Sequence, residues 1–259
     1  MQWQNRKRLG FLLTALTILA APAAAQDALV LGGGGARGLA HAGSLQALSE
    51  KGFRPDLVVG SSMGSIIGAL HAAGLDADSI WRISRAMDWQ ELFSYSRFRT
   101  LPDGEASRPF LNLGVGVDRR RYVEGLMTDW RVNRLLMRLL FDAAARAHGD
   151  FDRLPIRYRA VAGDLKTGEP VSIGSGDLAL AVRASMAVPG LFAPVIDEQG
   201  RYLVDGGISD YLPVQAARDA GARHIVAIDV IDPPADRMGR LNPMQIALRS
   251  FRLTLRNAR

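Results

Sequence analysis

Apolar residues in this chain gather in short runs, separated by stretches of helical periodicity. The runs at 28–31, 57–59, 158–161, 170–173, 195–196, 202–204 and 225–230 read as strands. Between them, apolar positions recur every three to four residues over 38–50, 63–73, 79–87, 122–147, 177–186, 213–220 and 243–256, which predicts helices. Runs that are continuously rather than alternately apolar, as at 28–31 and 57–59, predict strands buried on both faces. Interleaved with helices, they predict an α/β fold whose parallel sheet is covered on both sides. Asp197-Glu198-Gln199-Gly200, between two of the shortest runs, predicts an antiparallel hairpin.

One stretch departs from this alternation. Residues 88–121 hold Pro102, Gly104, Pro109, Gly114 and Gly116, yet also Trp89, Phe93, Tyr95, Phe98 and Phe110. A long aromatic-rich loop reads either as a functional lid or as an excursion packed down by its own rings. The helical pattern after it carries Val132, Leu135, Leu136, Leu139 and Leu140. Core packing is the simpler account of that face, with an acyl-chain groove as the alternative.

Two glycine-rich turns sit where strands should end and helices begin. Gly32-Gly33-Gly34-Gly35-Ala36-Arg37-Gly38 follows the first run, and Gly60-Ser61-Ser62-Met63-Gly64 follows the second. The second has the Gly-x-Ser-x-Gly form of a nucleophile elbow, a strained turn that lifts a serine hydroxyl clear of the backbone. Glycines flank the serine because a side chain there would meet the neighbouring strand or helix. Ser62 would stand at the positive end of the helix that begins at Met63. The first turn offers backbone N–H groups able to hold an oxyanion. Together they point to a serine hydrolase.

Such a serine needs a base. Only four histidines exist, His41, His71, His148 and His224, and each reads more simply as a packed or strand-edge residue. The order Ser62, Asp205, His224 would suit an α/β-hydrolase triad, but only one strand precedes the elbow's own. Asp205 is the better partner. It ends the run Tyr202-Leu203-Val204 before Gly206-Gly207, and α/β sites collect at the carboxyl ends of strands. A plain Asp-Gly-Gly turn is the alternative. Burial would raise its pKa from about 3.9 and make it a better base.

A dinucleotide-binding oxidoreductase is the nucleotide rival, because Gly33-Gly34-Gly35-Ala36-Arg37-Gly38 also fits G-x-G-x-x-G. It lacks the acidic residue wanted at the end of the second strand. A P-loop fails because Leu39 stands where lysine is required.

At 259 residues and 48% hydrophobic, the chain can build one large domain. Arg6, Lys7 and Arg8, an apolar stretch over 9–21 and Ala23-Ala24-Ala25 predict a secretory signal over residues 1–25, with an uncleaved membrane anchor as the alternative. Export to the periplasm or medium is therefore expected. The absence of cysteine excludes disulfides and a thiol nucleophile. The formal charge of +6 falls to +3 without the three basic residues of that leader. Arg237, Arg240, Arg249, Arg252, Arg256 and Arg259 concentrate the remainder on what reads as a solvated helix face, and no nucleic-acid partner is expected.

Four ordered segments, Leu31-Gly32-Gly33-Gly34-Gly35-Ala36-Arg37-Gly38, Gly60-Ser61-Ser62-Met63-Gly64, the Ser-x-x-x-Pro segment at Ser185 to Pro189, and Asp205-Gly206-Gly207, resemble those of the bacterial patatin-like phospholipases. The resemblance covers residues 28–230. It implies a three-layer α/β/α fold with a mostly parallel central sheet, and a Ser–Asp dyad without histidine. Ser62 matches the nucleophile and Asp205 the base. The N–H groups of Gly33, Gly34 and Gly35 match the oxyanion hole, and Arg37 the basic position supporting substrate or oxyanion. Plant members carry aspartate where this chain has Gly32. The expected activity is lipid acyl ester hydrolysis of the phospholipase A or lysophospholipase type, on a lipid or other ester at a membrane surface, with no cofactor or metal. The expected domain spans 26–259, with a last family strand expected beyond the helical pattern on which the chain ends. A non-catalytic lipid- or partner-binding module on the same fold is the other reading.

Overall fold

The computed structural model describes residues 27–88, 113–115, 121–123 and 130–230. The leader, the aromatics of the 88–121 stretch, the basic C-terminal residues and the helical pattern over 243–256 lie outside the described residues.

The chain alternates strand and helix from its first described residue. β1 (Asp27–Leu31) leads through the glycine-rich loop and a single 3₁₀ turn (Gly35–Leu39) into α1 (Ala40–Glu50). β2 (Leu57–Ser61), α2 (Met63–Ala72) and α3 (Ala77–Ala86) follow. After a small antiparallel pair, β3 (Leu113–Val115) and β4 (Arg121–Val123), come α4 (Trp130–Ala147), β5 (Arg157–Asp164) and β6 (Pro170–Ile173). The chain continues through α5 (Leu178–Ser185), β7 (Val195–Ile196), β8 (Tyr202–Asp205), α6 (Val214–Asp219) and β9 (His224–Ile228).

Strand alternation divides the core into two faces. Leu29 and Leu31 of β1 and Val58 of β2 pack with residues of α1 to α5 on one side of the sheet. Ala28, Val30, Leu57 and Val59 pack with Ala217 and the flanks of α6 on the other. Every residue of β2 is buried, as its unbroken apolar run requires. The fold is therefore three-layered, with helices on both faces of a seven-stranded sheet. Val132, Leu136 and Leu140 of α4 belong to the larger core, in keeping with the packing account of that helix.

The sheet is mixed. β9, β1, β2 and β5 run parallel, whereas β6 and β8 pair antiparallel with β5, and β7 with β8. The β7–β8 hairpin falls where Asp197 to Gly200 predicted it. That β6 turns back on β5 was not legible from its apolar run. Its cause is the five-residue connection after Asp164, too short for a parallel crossover. A second difference concerns Tyr122 and Val123, expected to begin a helix. They lie in β4, paired with Gly114 and Leu113, where a β-branched and aromatic pair suits a strand.

One detail of the register places the site. β6 covers Ala160–Gly163 of β5, overlapping the residues paired with β2 and those paired with β8. β6 therefore takes one edge of β5, and β2 and β8 share the other, end to end. Ser61 lies opposite Val161, and Asp205 opposite the next residue, Ala162. Residues 143 positions apart are brought together by this shared edge.

Candidate active site

The elbow is built from the end of β2. Ser62 has φ 54° and ψ −122°, in the left-handed region that costs a residue with a Cβ about 1–3 kcal/mol. The surrounding backbone leaves no room beside it. A Cβ on Gly64 would stand 2.2 Å from the Leu31 carbonyl oxygen, and one on Gly60 would stand 2.5 Å from the Gly64 oxygen. Gly64→Ala is accordingly expected to cost about 3 kcal/mol or more, lowering the thermal midpoint by roughly 6–12 °C; a loss under 2 °C would refute this close fit. Tyr158 locks the following turn. Its fully buried hydroxyl donates to the Ser65 carbonyl at 2.9 Å and pairs with Ser65 Oγ at 2.6 Å, and burial raises its pKa.

Asp205 faces this turn from the end of β8. Ser62 Oγ donates to Asp205 Oδ2 at 2.6 Å, while Oδ1 accepts the Gly207 N–H at 2.8 Å. The carboxyl is 3% exposed and Ser62 is 8% exposed. Burial pushes the Asp205 pKa up to about 6, against the opposing pull of the Ser62 hydroxyl and the Gly207 N–H. An aspartate in this setting is still ionised at neutral pH but accepts a proton more readily than one in water.

The glycine-rich loop lies beside the serine. A Cβ on Gly33 would come 3.5 Å from Ser62 Cβ. Its N–H, however, donates to the Tyr211 carbonyl at 3.0 Å, as that of Gly32 does to Ile228 at 3.1 Å. This corrects the expectation of three oxyanion donors, because Gly33 is already spent in holding the loop. The N–H groups of Gly34 and Gly35 have no acceptor among the described residues. Arg37 follows, part-buried, in the 3₁₀ turn. The buried Tyr211, whose ring underlies Gly32 and Gly33, carried no signal in the sequence.

No histidine of the described residues bonds to either member of the pair. His41 is buried and its Nε2 meets the Gly32 carbonyl at 2.8 Å, with its pKa lowered by burial. His71 lies at the far end of α2, against the Leu75 carbonyl, and His148 sits in the turn that ends α4. His224 pairs with Asp27 at the start of β9. Registers across β1 set it level with residue 56, six positions before Ser62 and about 20 Å along the sheet. The Ser62–Asp205–His224 triad is thereby excluded, and His224→Ala is expected to keep turnover within about 2-fold of the parent. A loss of more than 10-fold in a folded protein would contradict this placement. The dinucleotide reading fails too, because Asp56 precedes β2 and its carboxylate accepts the Asp27 N–H at the opposite end of the strands. Among the described residues, no three His, Cys, Asp or Glu side chains stand together as metal ligands would.

Fold and site together define a class: three-layer α/β/α proteins with an elbow serine bonded to a buried carboxylate at the carboxyl ends of the strands. Sequence comparison gives the family. A model described as patatin-like phospholipase matches residues 29–218. An uncharacterised NTE family protein of Mycobacterium bovis is 35% identical over 203 residues, covering 78% of this chain and 48% of that protein. The human patatin-like phospholipase domain-containing protein 6 is 35% identical over 224 residues, covering 86% of this chain and 14% of that protein. The chain belongs to the patatin-like phospholipase family. It spans about half the length of the mycobacterial relative and a small part of the human one. Among solved structures, VipD from Legionella pneumophila superposes with a TM-score of 0.46 at 18% identity, covering 74% of this chain and 47% of that one.

Proposed function

We propose that this protein is a serine esterase that cleaves carboxylic esters of lipids, with Ser62 as nucleophile and Asp205 as its base. The observation that carries the proposal is the 2.6 Å bond from Ser62 Oγ to Asp205 Oδ2 at a strained, buried turn. Family membership supports a lipid hydrolase in general terms. The phospholipase A or lysophospholipase type, acting at a membrane surface, is the finer form of the reading.

The geometry supports the following sequence of steps. Asp205 takes the Ser62 proton as Oγ adds to the ester carbonyl, and the N–H groups of Gly34 and Gly35 receive the oxyanion. The helix dipole of α2 favours the same negative charge. Collapse of the adduct breaks the ester bond, and Asp205 returns the proton to the departing alcohol. Water then attacks the acyl-enzyme, giving its proton to Asp205, and the second collapse frees the carboxylic acid and restores the Ser62 hydroxyl. Arg37, next to the donors, would face an anionic head group or the oxyanion.

A lipid- or partner-binding module without catalysis would have no use for a left-handed serine or for a buried carboxylate whose pKa desolvation raises. Residues 1–25 are further proposed to direct export, leaving 26–259 as the hydrolase domain. The test is incubation of residues 26–259 with phosphatidylcholine, lysophosphatidylcholine, a diacylglycerol and a soluble nitrophenyl ester, following release of free acid. Release from any of these supports an esterase and ranks its substrates. A folded protein that releases none from all four would overturn the proposal.

A further inference from the structure

The Ser-x-x-x-Pro segment has no part in the chemistry just described, yet it touches both members of the pair. Ser185, the last residue of α5, is fully buried 123 positions beyond Ser62. Its Oγ accepts the Ser62 main-chain N–H at 3.0 Å and donates to the Val161 carbonyl at 2.5 Å. Two residues on, the Ala187 carbonyl accepts the Asp205 N–H at 2.9 Å. Val161 is the β5 residue opposite Ser61, next to Ala162 opposite Asp205.

These contacts have a common consequence. Ser62 stands between the end of β2 and the start of α2, where its buried N–H has neither a ladder nor an intrahelical acceptor, and Ser185 Oγ supplies one. A hydroxyl suits the position because it both donates and accepts, so it can bridge an N–H and a carbonyl that face one another. We infer that Ser185 is the positioning residue of this site: its hydroxyl fixes the Ser62 backbone at the angle that aims Oγ at Asp205, while the adjoining main chain fixes Asp205. This rests on the reading of Ser62 and Asp205 given above. Ser185 touches neither substrate nor proton in transit. It acts through Ser62, so its loss should appear in the rate of the chemical step rather than in substrate binding. A displacement of an ångström at a reacting atom costs up to about 10²-fold.

The experiment compares residues 26–259 as parent, Ser62→Ala, Ser185→Ala, Ser185→Thr and Ser185→Cys on a soluble nitrophenyl ester. Active sites are counted by exhaustive fluorophosphonate titration, so that turnover is expressed per competent site. Ser185→Ala is expected to lose about 10–100-fold in kcat per titrated site, with KM within about 3-fold of the parent. The acid limb of its pH profile should stay at the parent's position or move upward, because the one contact of the Asp205 carboxylate that the substitution disturbs, the Ser62 hydroxyl, holds its pKa down. Ser185→Thr, which keeps a hydroxyl on the same carbon, should recover to within about 5-fold, and Ser185→Cys, a weaker bridge, should fall between. A variant that merely destabilised the fold would yield fewer titrated sites of parental kcat, and that result would overturn the inference. If Ser185→Ala yields no soluble protein, the cysteine variant decides, since parental kcat per site there overturns it equally. Parental turnover in Ser62→Ala would instead sink the reading of the site itself and this inference with it.

Discussion

Ser62→Ala should leave a folded protein whose release of acid from any ester falls by about 10⁴-fold or more, to the background of the assay. The expectation follows from the position of the hydroxyl. It donates to the buried Asp205 carboxylate at 2.6 Å, and it stands beside the glycine loop, where the N–H groups of Gly34 and Gly35 have no acceptor among the described residues. Among the described residues no other hydroxyl duplicates this arrangement. The Ser61 side chain is buried with no hydrogen-bond partner among the described residues, Ser65 is tied to Tyr158, and Ser185 bridges Ser62 and Val161. The elbow itself should survive, since alanine keeps the backbone N–H that Ser185 receives. Circular dichroism and a thermal midpoint close to the parent's accompany the assay. Turnover above about one-hundredth of the parent's, in a protein that melts normally, would remove Ser62 from the mechanism.

Asp205→Asn should be nearly as damaging to turnover and should have the opposite effect on stability. An amide cannot take the serine proton, and loss of a general base costs about 10²–10⁴-fold. In the parent, activity should rise with pH through about 6, as the carboxyl ionises, and then level off, with no histidine to shape the profile. For stability, the folded carboxyl holds its proton more tightly than the unfolded one, with a value of about 6 against 3.8. This group therefore costs nothing below about pH 4. Stability falls as pH rises from about 4 to 6, and at neutral pH the buried charge costs about 3 kcal/mol. Asparagine carries no such cost and can still accept the Gly207 N–H. At pH 7.5 the variant should melt roughly 5 °C or more above the parent, and the two midpoints should converge below pH 4. A variant less stable than the parent at pH 7.5 would show that Asp205 is held by favourable charge interactions, not strained by burial.

Much of this arrangement was legible in the sequence because it is local. A glycine two residues to each side of Ser62 encodes a turn with no space for a Cβ, and the distances at Gly60 and Gly64 carry that reading into three dimensions. Unbroken apolar runs encoded the strands β1 and β2, buried on both faces, while the run behind β5 is interrupted by Arg159, which pairs with Asp152. What could not be read depends on pairing across long separations. The antiparallel return of β6 is a matter of connection length, and the strand preference of Tyr122 and Val123 did not by itself announce their pairing with Leu113 and Gly114. Near the site, Gly33 looked like a third oxyanion donor because its sequence neighbours are glycines. Its N–H is taken by the carbonyl of Tyr211, 178 positions away, whose ring underlies the loop. Ser185 stood in a recognisable segment without a role, since its two partners are contributed by β5 and the elbow.

The most direct test of the account is where a fluorophosphonate probe attaches, and how fast. The probe mimics the ester and traps the activated serine as a stable adduct, which peptide mass mapping assigns to a single residue. One adduct per molecule is expected, on Ser62, forming at a rate that climbs with pH through about 6 in the parent and is slowed by at least about 100-fold in Asp205→Asn. Attachment to another residue, or attachment to Ser62 at the same rate with and without the Asp205 carboxylate, would contradict it.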